Sequence, residues 1–193
     1  ATEPDTILRI EDPVQMTYTS GTESLPKGVI ISNQALMAQY MGCIVDGQYD
    51  EDDVQVNALP IYHCAQRDVF MNPVFWVGGT NILIAPDIGQ ILKNIADYKA
   101  TMFFAPPTVW IGLLRHPDFG KYDLKSLKKC YYGASIMPVE ILKEIMEKFP
   151  GSGIWNYYGQ TELAPYHTIL KAKDALAKLG SAGLGGLNME TRL

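Results

Sequence analysis

The sequence predicts an α/β protein with a mainly parallel sheet flanked by helices. Short apolar stretches, rich in β-branched and aromatic residues, alternate with segments of helical periodicity. Turn residues bound these stretches, and strands that alternate with helices are typical of βαβ units. A chain of 193 residues, 47% of them hydrophobic, can bury one core, so two independent domains are not expected.

The predicted strands are short, and four of the intervening segments have helical patterns. Buried strands are predicted at residues 14–18, 54–59, 80–84, 101–105, 128–132 and 153–157, with a further strand at 29–32. Helices are predicted at residues 33–45, 88–98, 108–115 and 138–149. Ser32 is placed to cap the first helix, and Pro138 with Glu140 suits the first turn of the last one. An alternating pattern begins at residues 189–193, so the chain looks as though it was cut within a strand.

Composition and charge narrow the classes of function. The net charge is −5 and the basic residues are scattered, which disfavours a nucleic-acid partner. No apolar run is long enough for a transmembrane segment, and residues 1–5 have no features of a signal peptide. We therefore expect a cytoplasmic protein, with peripheral membrane association left open. Cys43, Cys64 and Cys130 lack C-x-x-C spacing, so neither a disulfide framework nor a zinc site is expected.

Residues 18–28 form the first segment that carries chemistry. Hydroxyls, a glycine that frees the backbone and one lysine make a suitable cradle for a polyphosphate. These groups belong to Thr19, Ser20, Gly21, Thr22 and Lys27. The segment is not a Walker loop, because Pro26 and Gly28 stand where that motif requires Gly and Ser or Thr. The plain alternative is a solvated β-hairpin whose polar residues only form a turn.

Three further motifs follow along the chain. Residues 59–63 read Leu-Pro-Ile-Tyr-His, residues 132–135 read Tyr-Gly-Ala-Ser, and residues 156–162 read Asn-Tyr-Tyr-Gly-Gln-Thr-Glu. The first two are weak signals alone, because a lone histidine is more often structural and small residues also suit a tight turn. The third combines a ring that can stack, a hydroxyl that can bind phosphate and a carboxylate suited to Mg²⁺.

Together and in this order, the four segments resemble the signatures of the adenylate-forming superfamily. That superfamily includes acyl-CoA synthetases, nonribosomal-peptide adenylation domains and firefly luciferase. The first segment is similar to [YF]-T-S-G-[ST]-T-G-x-P-K-G and departs from it at Glu23 and Ser24, to which no contact is assigned. The others are similar to L-P-[LM]-[FY]-H, G-[AG]-[APE] and Y-G-x-T-E. Gln66 stands where the superfamily usually has a small residue, so a different pocket shape is expected.

The resemblance implies a role for each matching residue. The phosphates of ATP would be held by Thr19, Ser20, Gly21, Thr22 and Lys27. The adenine would be contacted by Gly133, Ala134, Ser135, Asn156 and Tyr158. Gly159 would allow the chain to turn beside the adenine. His63 would place the carboxylate, Thr161 would bind the α-phosphate and Glu162 would bind Mg²⁺. The expected catalytic residues are therefore His63, Lys27, Thr161 and Glu162. Residues 103–110 would run alongside the acyl pocket.

The reaction implied is a two-step ligation that uses ATP, Mg²⁺ and CoA. A carboxylic acid would form an acyl-adenylate and then a thioester. The resemblance is strongest to bacterial fatty acyl-CoA synthetases, which implies a medium- or long-chain fatty acid. It also implies that residues 1–193 are the central portion of the large AMP-binding domain, without the C-terminal lid domain. The alternatives left open are an aryl or amino acid as substrate, a carrier protein as acceptor, and a non-catalytic binding or scaffold module.

Overall fold

A computed structural model describes residues 5–19 and 25–192 of the chain. The strands are β1 (Pro13–Tyr18), β2 (Gly28–Ser32), β3 (Val54–Asn57), β4 (Thr80–Leu83), β5 (Met102–Phe104), β6 (Lys129–Gly133), β7 (Gly153–Gly159), β8 (Tyr166–Leu170) and β9 (Leu184–Gly185). The α-helices are α1 (Asn33–Gly47), α2 (Asn72–Trp76), α3 (Ile88–Asp97), α4 (Pro107–Arg115) and α5 (Val139–Lys148). A π-helical segment, Ala65–Met71, precedes α2.

A seven-stranded sheet in the order β4-β3-β5-β6-β7-β8-β9 forms the centre of the fold. The pairs from β4 to β7 are parallel, whereas β8 and β9 are added in antiparallel orientation. Helices α3, α4 and α5 connect successive parallel strands. The predicted α/β class with a mainly parallel sheet is therefore confirmed.

Two hydrophobic clusters lie on opposite faces of this sheet. Phe103, Cys130 and Ile154 belong to the cluster that α3, α4 and α5 cover. Phe104 and Tyr131, which occupy alternate positions of the same strands, belong to the cluster packed against α1 and the π-helical segment. This division follows from strand geometry, since successive side chains point to opposite faces. No helix in the described part of the chain is long and apolar enough to cross a membrane.

The ends of the helices match their sequence signals. The Ser32 hydroxyl accepts a hydrogen bond from the backbone N–H of Ala35 at 3.3 Å, which confirms the predicted cap of α1. Asp87 caps α3 in the same way, accepting from the N–H of Gln90 at 2.8 Å. Pro138 precedes the first residue of α5 rather than occupying its first turn.

Some strand predictions were wrong. β1 is largely not buried, and it pairs only with β2, in a separate two-stranded antiparallel sheet. β4 is also partly exposed, because it is an edge strand of the seven-stranded sheet. Residues 189–192 form no strand. β8 was not predicted, and neither were the π-helical segment and α2, where polar residues interrupt the apolar periodicity.

Candidate functional site

The carboxyl ends of the parallel strands frame a cavity of about 230 Å³. Such crevices are where ligands bind in open α/β sheets. Residues from the ends of β6 and β7 and from the loop after β3 line it. The lining includes the predicted site residues His63, Gly133, Ala134, Tyr158, Gly159 and Thr161, together with Cys64, Phe70, Phe104 and Tyr157. Segments that are far apart in the sequence therefore meet at one place.

His63 lies in the turn that follows β3, and a hydrogen bond selects the tautomer of its ring. The backbone N–H of Ala65 donates to Nδ1 of His63 at 3.1 Å, so this nitrogen carries no proton. The neutral imidazole therefore carries its proton on Nε2. The side chain is exposed at the cavity, where Nε2–H can donate to a carboxylate oxygen.

Cys64 and Thr161 link the histidine turn to the end of β7. The sulfur of Cys64 lies 3.6 Å from the hydroxyl oxygen of Thr161, a hydrogen-bonding distance for a thiol. Burial raises the pKa of the Cys64 thiol, and the hydrogen bond with Thr161 only partly opposes that effect. The neutral thiol can therefore orient the Thr161 hydroxyl at the cavity wall.

A second cavity, of about 330 Å³, lies on the other side of Ala134 and Tyr158. Its wall includes Asn156 and Ser135, which the sequence placed at the adenine. The side-chain N–H of Asn156 donates to the carbonyl of Ser181 at 3.3 Å. This bond directs the amide so that Oδ1 is the remaining acceptor, the atom that an adenine amino group requires. The ring of Tyr158 is 56% exposed, whereas its neighbour Tyr157 is buried in the core.

Backbone geometry explains two of the glycines in these motifs. A Cβ atom on Gly133 would lie 2.4 Å from the carbonyl oxygen of Tyr157, and one on Gly159 would lie 1.9 Å from that of Pro165. Both positions therefore require glycine because neighbouring backbone approaches closely. The need for glycine is thus explained without a bound adenine ring. Ala134 has φ of 65°, a left-handed conformation that a non-glycine residue rarely adopts and that clusters at functional sites.

The β1–β2 hairpin presents the predicted phosphate loop. The backbone N–H of Thr19 donates to the carbonyl of Lys27 at 3.0 Å, and the N–H of Lys27 donates to the Thr19 hydroxyl at 3.2 Å. These bonds close the base of the loop. Ser20, Gly21 and Thr22 lie outside the described residues.

The hairpin and the Thr161–Leu163 turn are neighbours, since Cα atoms of β2 come within 8 Å of that turn. Glu162 is exposed and lines an open groove with β2 and α1; it is not among the residues that line the cavity of Thr161. No hydrogen bond among the described residues joins Lys27 to Thr161 or Glu162.

Within residues 5–19 and 25–192, no group of three or more His, Cys, Asp or Glu side chains could hold a metal. Glu162 forms no ion pair with another described residue, so its carboxylate is available as a single hard ligand. A lone carboxylate suits Mg²⁺ carried by a nucleotide, because Mg²⁺ keeps several waters and takes its other ligands from phosphate oxygens.

The structure changes two expectations about the acyl side of the site. Gln66 is 1% exposed and does not line the cavity; its side-chain N–H donates inward to Asn57. Of the aromatic stretch 103–110, only Phe104 reaches the cavity. Phe103 and Trp110 pack against each other on the opposite face, because successive residues of a strand point to opposite sides.

A known protein family matches the whole chain. All of residues 1–193 match the family model described as "AMP-binding enzyme". The chain belongs to this family.

Among the relatives of this AMP-binding enzyme chain, a long-chain-fatty-acid–CoA ligase of Bacillus subtilis is 35% identical over 85% of the chain and 30% of the relative. A feruloyl-CoA synthase of Amycolatopsis is 28% identical over 98% of the chain and 38% of the relative. The chain thus spans about a third of the length of these relatives.

Solved structures also share this fold. The N-terminal domain of FACL13 from Mycobacterium tuberculosis superposes with a TM-score of 0.87 at 24% identity, over 96% of the chain and 46% of that domain. O-succinylbenzoate coenzyme A synthetase of Bacillus subtilis, in complex with ATP and a magnesium ion, gives a TM-score of 0.84 at 25% identity. It covers 96% of the chain and 38% of that structure.

Sequence reasoning missed several residues that shape the site of this AMP-binding enzyme chain. Cys64 and Tyr166 line the cavity, and Arg67 and Asp68 follow one turn after the histidine. The Arg67-Asp68 dipeptide carried a signal that could have been used, because charged residues inside an otherwise apolar segment are rarely buried without partners.

Proposed function

We propose that the chain carries the ATP-binding and carboxylate-activating core of an acid–CoA ligase. The observation that carries the proposal is the meeting of three motifs at the carboxyl end of one sheet, beside the hairpin that carries the fourth. His63, Ala134, Tyr158 and Thr161 line one cavity, and the hairpin that carries Lys27 lies beside the turn of Thr161 and Glu162. Family membership across the whole chain supports the same reaction class.

In this proposal a carboxylate oxygen attacks the α-phosphorus of ATP, and the bond to the bridging oxygen of pyrophosphate breaks. Lys27 and the hydroxyl of Thr19 hold the leaving pyrophosphate, which takes up the electron pair. Nε2–H of His63 donates to the carboxylate and orients it, while the Thr161 hydroxyl donates to an α-phosphate oxygen as negative charge develops there. Glu162 would hold Mg²⁺ brought by the nucleotide, and the ion would supply charge neutralisation. The thiol of CoA then displaces AMP to give the thioester.

Adenine would occupy the second cavity in this scheme. The exposed ring of Tyr158 offers a stacking surface, and Oδ1 of Asn156 accepts from the adenine amino group. The backbone of Gly133, Ala134 and Ser135 borders the other side of the base. The free acceptor on Asn156 and the left-handed conformation at Ala134 are the features that support this assignment.

The substrate we propose is a medium- or long-chain fatty acid. The long-chain-fatty-acid–CoA ligase at 35% identity supports this choice. An aryl acid is the second candidate, because the floor of the cavity is aromatic: Phe70 and Phe104 stack with ring centroids 4.0 Å apart, and Tyr157 meets Phe70 edge-on. The feruloyl-CoA synthase relative is consistent with that candidate. We place the reaction in the cytoplasm, where both ATP and CoA are available.

Trapping of the acyl-adenylate tests both parts of the proposal. The enzyme at its full encoded length is incubated with MgATP and, separately, with fatty acids of eight to sixteen carbons, aryl acids and amino acids, and products are identified by mass spectrometry. We expect adenylates of fatty acids, and CoA-dependent conversion of them to thioesters. Preferential formation of aryl adenylates would select the second candidate. Absence of any adenylate with every acid would contradict the proposed function and favour a non-catalytic module.

A further inference from the structure

The hairpin that presents Lys27 is not part of the central sheet. β1 and β2 pair with each other, and within the described residues no strand of the seven-stranded sheet extends their ladder. β2 leads directly into α1, which holds one end of the hairpin. Backbone N–H groups of Asn33 and Gln34 also donate to the carbonyls of Asp12 and Ile10, just before β1. Within β1 itself, the hydrogen bonds that the described residues make to elements other than β2 come from side chains.

Those contacts converge on two residues of the π-helical segment. Among the described residues, every side-chain hydrogen bond from β1 to another element ends on Arg67 or Asp68. The side-chain N–H of Gln15 donates to Oδ2 of Asp68 at 2.8 Å. A guanidinium N–H of Arg67 donates to the Thr17 hydroxyl at 3.0 Å.

The carboxylate of Asp68 is buried, and hydrogen bonds satisfy both of its oxygens. It is 0% exposed, and both of its oxygens accept from the Arg67 guanidinium at 2.9 Å. A buried carboxylate is tolerated only when it is paired and hydrogen-bonded, so Arg67 and Gln15 together compensate its burial. Thr17, the hydroxyl acceptor on the strand, is 6% exposed. The contact is therefore charge-assisted and buried at its carboxylate and hydroxyl ends, while the Arg67 side chain is 25% exposed.

The same two residues are joined to the histidine turn. The backbone N–H of Arg67 donates to the carbonyl of His63 at 3.3 Å, so the pair begins one turn after His63. On the hairpin side, Thr17 stands two residues before Thr19, which closes the loop against Lys27. A π-helical segment at this place also fits a functional role, since such segments are frequent at functional sites.

We propose that Arg67 and Asp68 are positioning residues that dock the phosphate hairpin onto the histidine turn. The inference rests on the proposed function, in which the hairpin holds the triphosphate and His63 places the carboxylate. Because in-line attack requires the two reactants in a fixed geometry, a docked hairpin sets the α-phosphorus relative to the carboxylate. Neither residue touches the reacting atoms. Their loss should therefore impair the use of MgATP while leaving the binding of the acid intact.

Asp68→Asn in the enzyme at its full encoded length is the test. We expect kcat/KM for MgATP to fall by roughly 10- to 100-fold, as for a small misplacement of reactants, with KM for the acid within about twofold of the wild type. The matched control is Asp53→Asn. Asp53 is a carboxylate 2% exposed and paired with Lys129 at 2.7 Å, but it precedes β3 and so lies at the opposite end of the sheet. The proposal would be overturned if the two substitutions lowered kcat/KM for MgATP equally. It would also be overturned if Asp68→Asn left that value unchanged.

If Asp68→Asn does not fold, two substitutions of Thr17 test the docking role instead. Thr17→Val keeps the shape of the side chain but removes the acceptor of the Arg67 hydrogen bond, whereas Thr17→Ser keeps the acceptor. We expect the MgATP defect and faster backbone hydrogen exchange at residues 15–19 in Thr17→Val, and rescue of both in Thr17→Ser. Identical behaviour of the two variants would refute the docking role.

These experiments also separate this inference from the proposed function. If the wild type forms no adenylate with any acid, the proposed function fails. Hydrogen exchange and calorimetric binding of MgATP in the same variants would still show whether the pair docks the hairpin. A wild type that is active, with variants that show unchanged MgATP kinetics, would remove the inference alone.

Discussion

Glu162 is the residue whose assignment depends most on charge. It is exposed beside the hairpin strand β2 and has no ion-pair partner among the described residues. Glu162→Gln keeps the size of the side chain but removes a charged ligand. We therefore expect MgATP to bind roughly 10- to 100-fold more weakly, the effect of losing one charge-assisted interaction. Calorimetry on the enzyme at its full encoded length measures this change.

The control for this substitution is Glu147→Gln. Glu147 is also an exposed glutamate, but it lies in α5, on the far face of the sheet. We expect it to leave MgATP binding unchanged. Equal loss of affinity in both variants would mean that net charge, rather than a metal ligand, controls binding. In the absence of Mg²⁺, the wild type and Glu162→Gln should bind ATP with nearly equal affinity.

At the scale of single residues, the sequence predicted those whose chemistry is local to a motif. His63 and Thr161 do line one cavity, because both follow strands whose carboxyl ends share an edge of the sheet. Asp68 and Cys64 could not be predicted in the same way, since their partners, Gln15 and Thr161, lie 53 and 97 residues away. Only the folded chain brings such pairs together.

At the scale of elements, the parallel strands were predictable from their apolar runs, and the helices from their periodicity and, for α1, a capping residue. Ser32 and the apolar run of β5 are examples. β8 was missed because it is a short return strand that follows Pro165 and contains a histidine and a threonine. The π-helical segment was missed because its buried polar residues Gln66 and Asp68 break the apolar stripe that marks a helix.

Asp46, near the end of α1, ties three separate segments together. One oxygen accepts from the Tyr166 hydroxyl of β8 at 2.6 Å and from the backbone N–H of Leu187 at 2.7 Å, and the other pairs with Lys171 at 2.6 Å. Burial alone would raise the pKa of Asp46, but the bonds from Lys171, Tyr166 and Leu187 outweigh it and lower the pKa below its ordinary value of 3.8.

This lowered pKa makes the stability depend on pH in a defined direction. The unfolded state binds a proton more readily than the folded state, so the stabilisation is present above the unfolded pKa near 3.8 and is lost as the pH falls through the folded pKa. We expect Asp46→Asn to lower the free energy of unfolding at pH 7, and the difference from wild type to shrink below about pH 4. Urea unfolding at a series of pH values measures both quantities.

Asp118→Asn is the control for this pH dependence. Asp118 also has a lowered pKa, caused first by its bond to Lys121, but that pair lies on the surface. Exposed ion pairs contribute little to stability, so this variant should follow the wild-type curve. A constant difference between Asp46→Asn and wild type from pH 7 to pH 3 would show that Asp46 does not link protonation to folding.

At the scale of the whole molecule, the sequence predicted the fold class. It did not predict that the phosphate hairpin stands apart from the central sheet. β1 alternates apolar and polar residues whereas β5 is wholly apolar, but such patterns indicate how a strand is buried and do not say which strands pair. The separation matters for function because it makes the position of Lys27 depend on Arg67 and Asp68.

The groove beside the hairpin leads to a last prediction. Ile30, Met37 and Met41 are exposed there, next to Glu162, although apolar side chains of this size are usually covered when they cluster. The chain spans 38% of the length of the feruloyl-CoA synthase relative. The 193 residues alone should therefore bind MgATP weakly and catalyse little or no pyrophosphate exchange.

Pyrophosphate exchange on the 193-residue chain and on the enzyme at its full encoded length measures this difference. Positioning of the reacting groups accounts for several orders of magnitude in such ligations, so we expect a rate ratio of roughly 10³ or more between the two. A fluorescent probe of exposed apolar surface should bind the 193-residue chain, and Met37→Lys with Met41→Lys should reduce that binding without unfolding the chain. Exchange by the 193-residue chain at a rate close to that of the longer enzyme would show that the described elements already form a complete site.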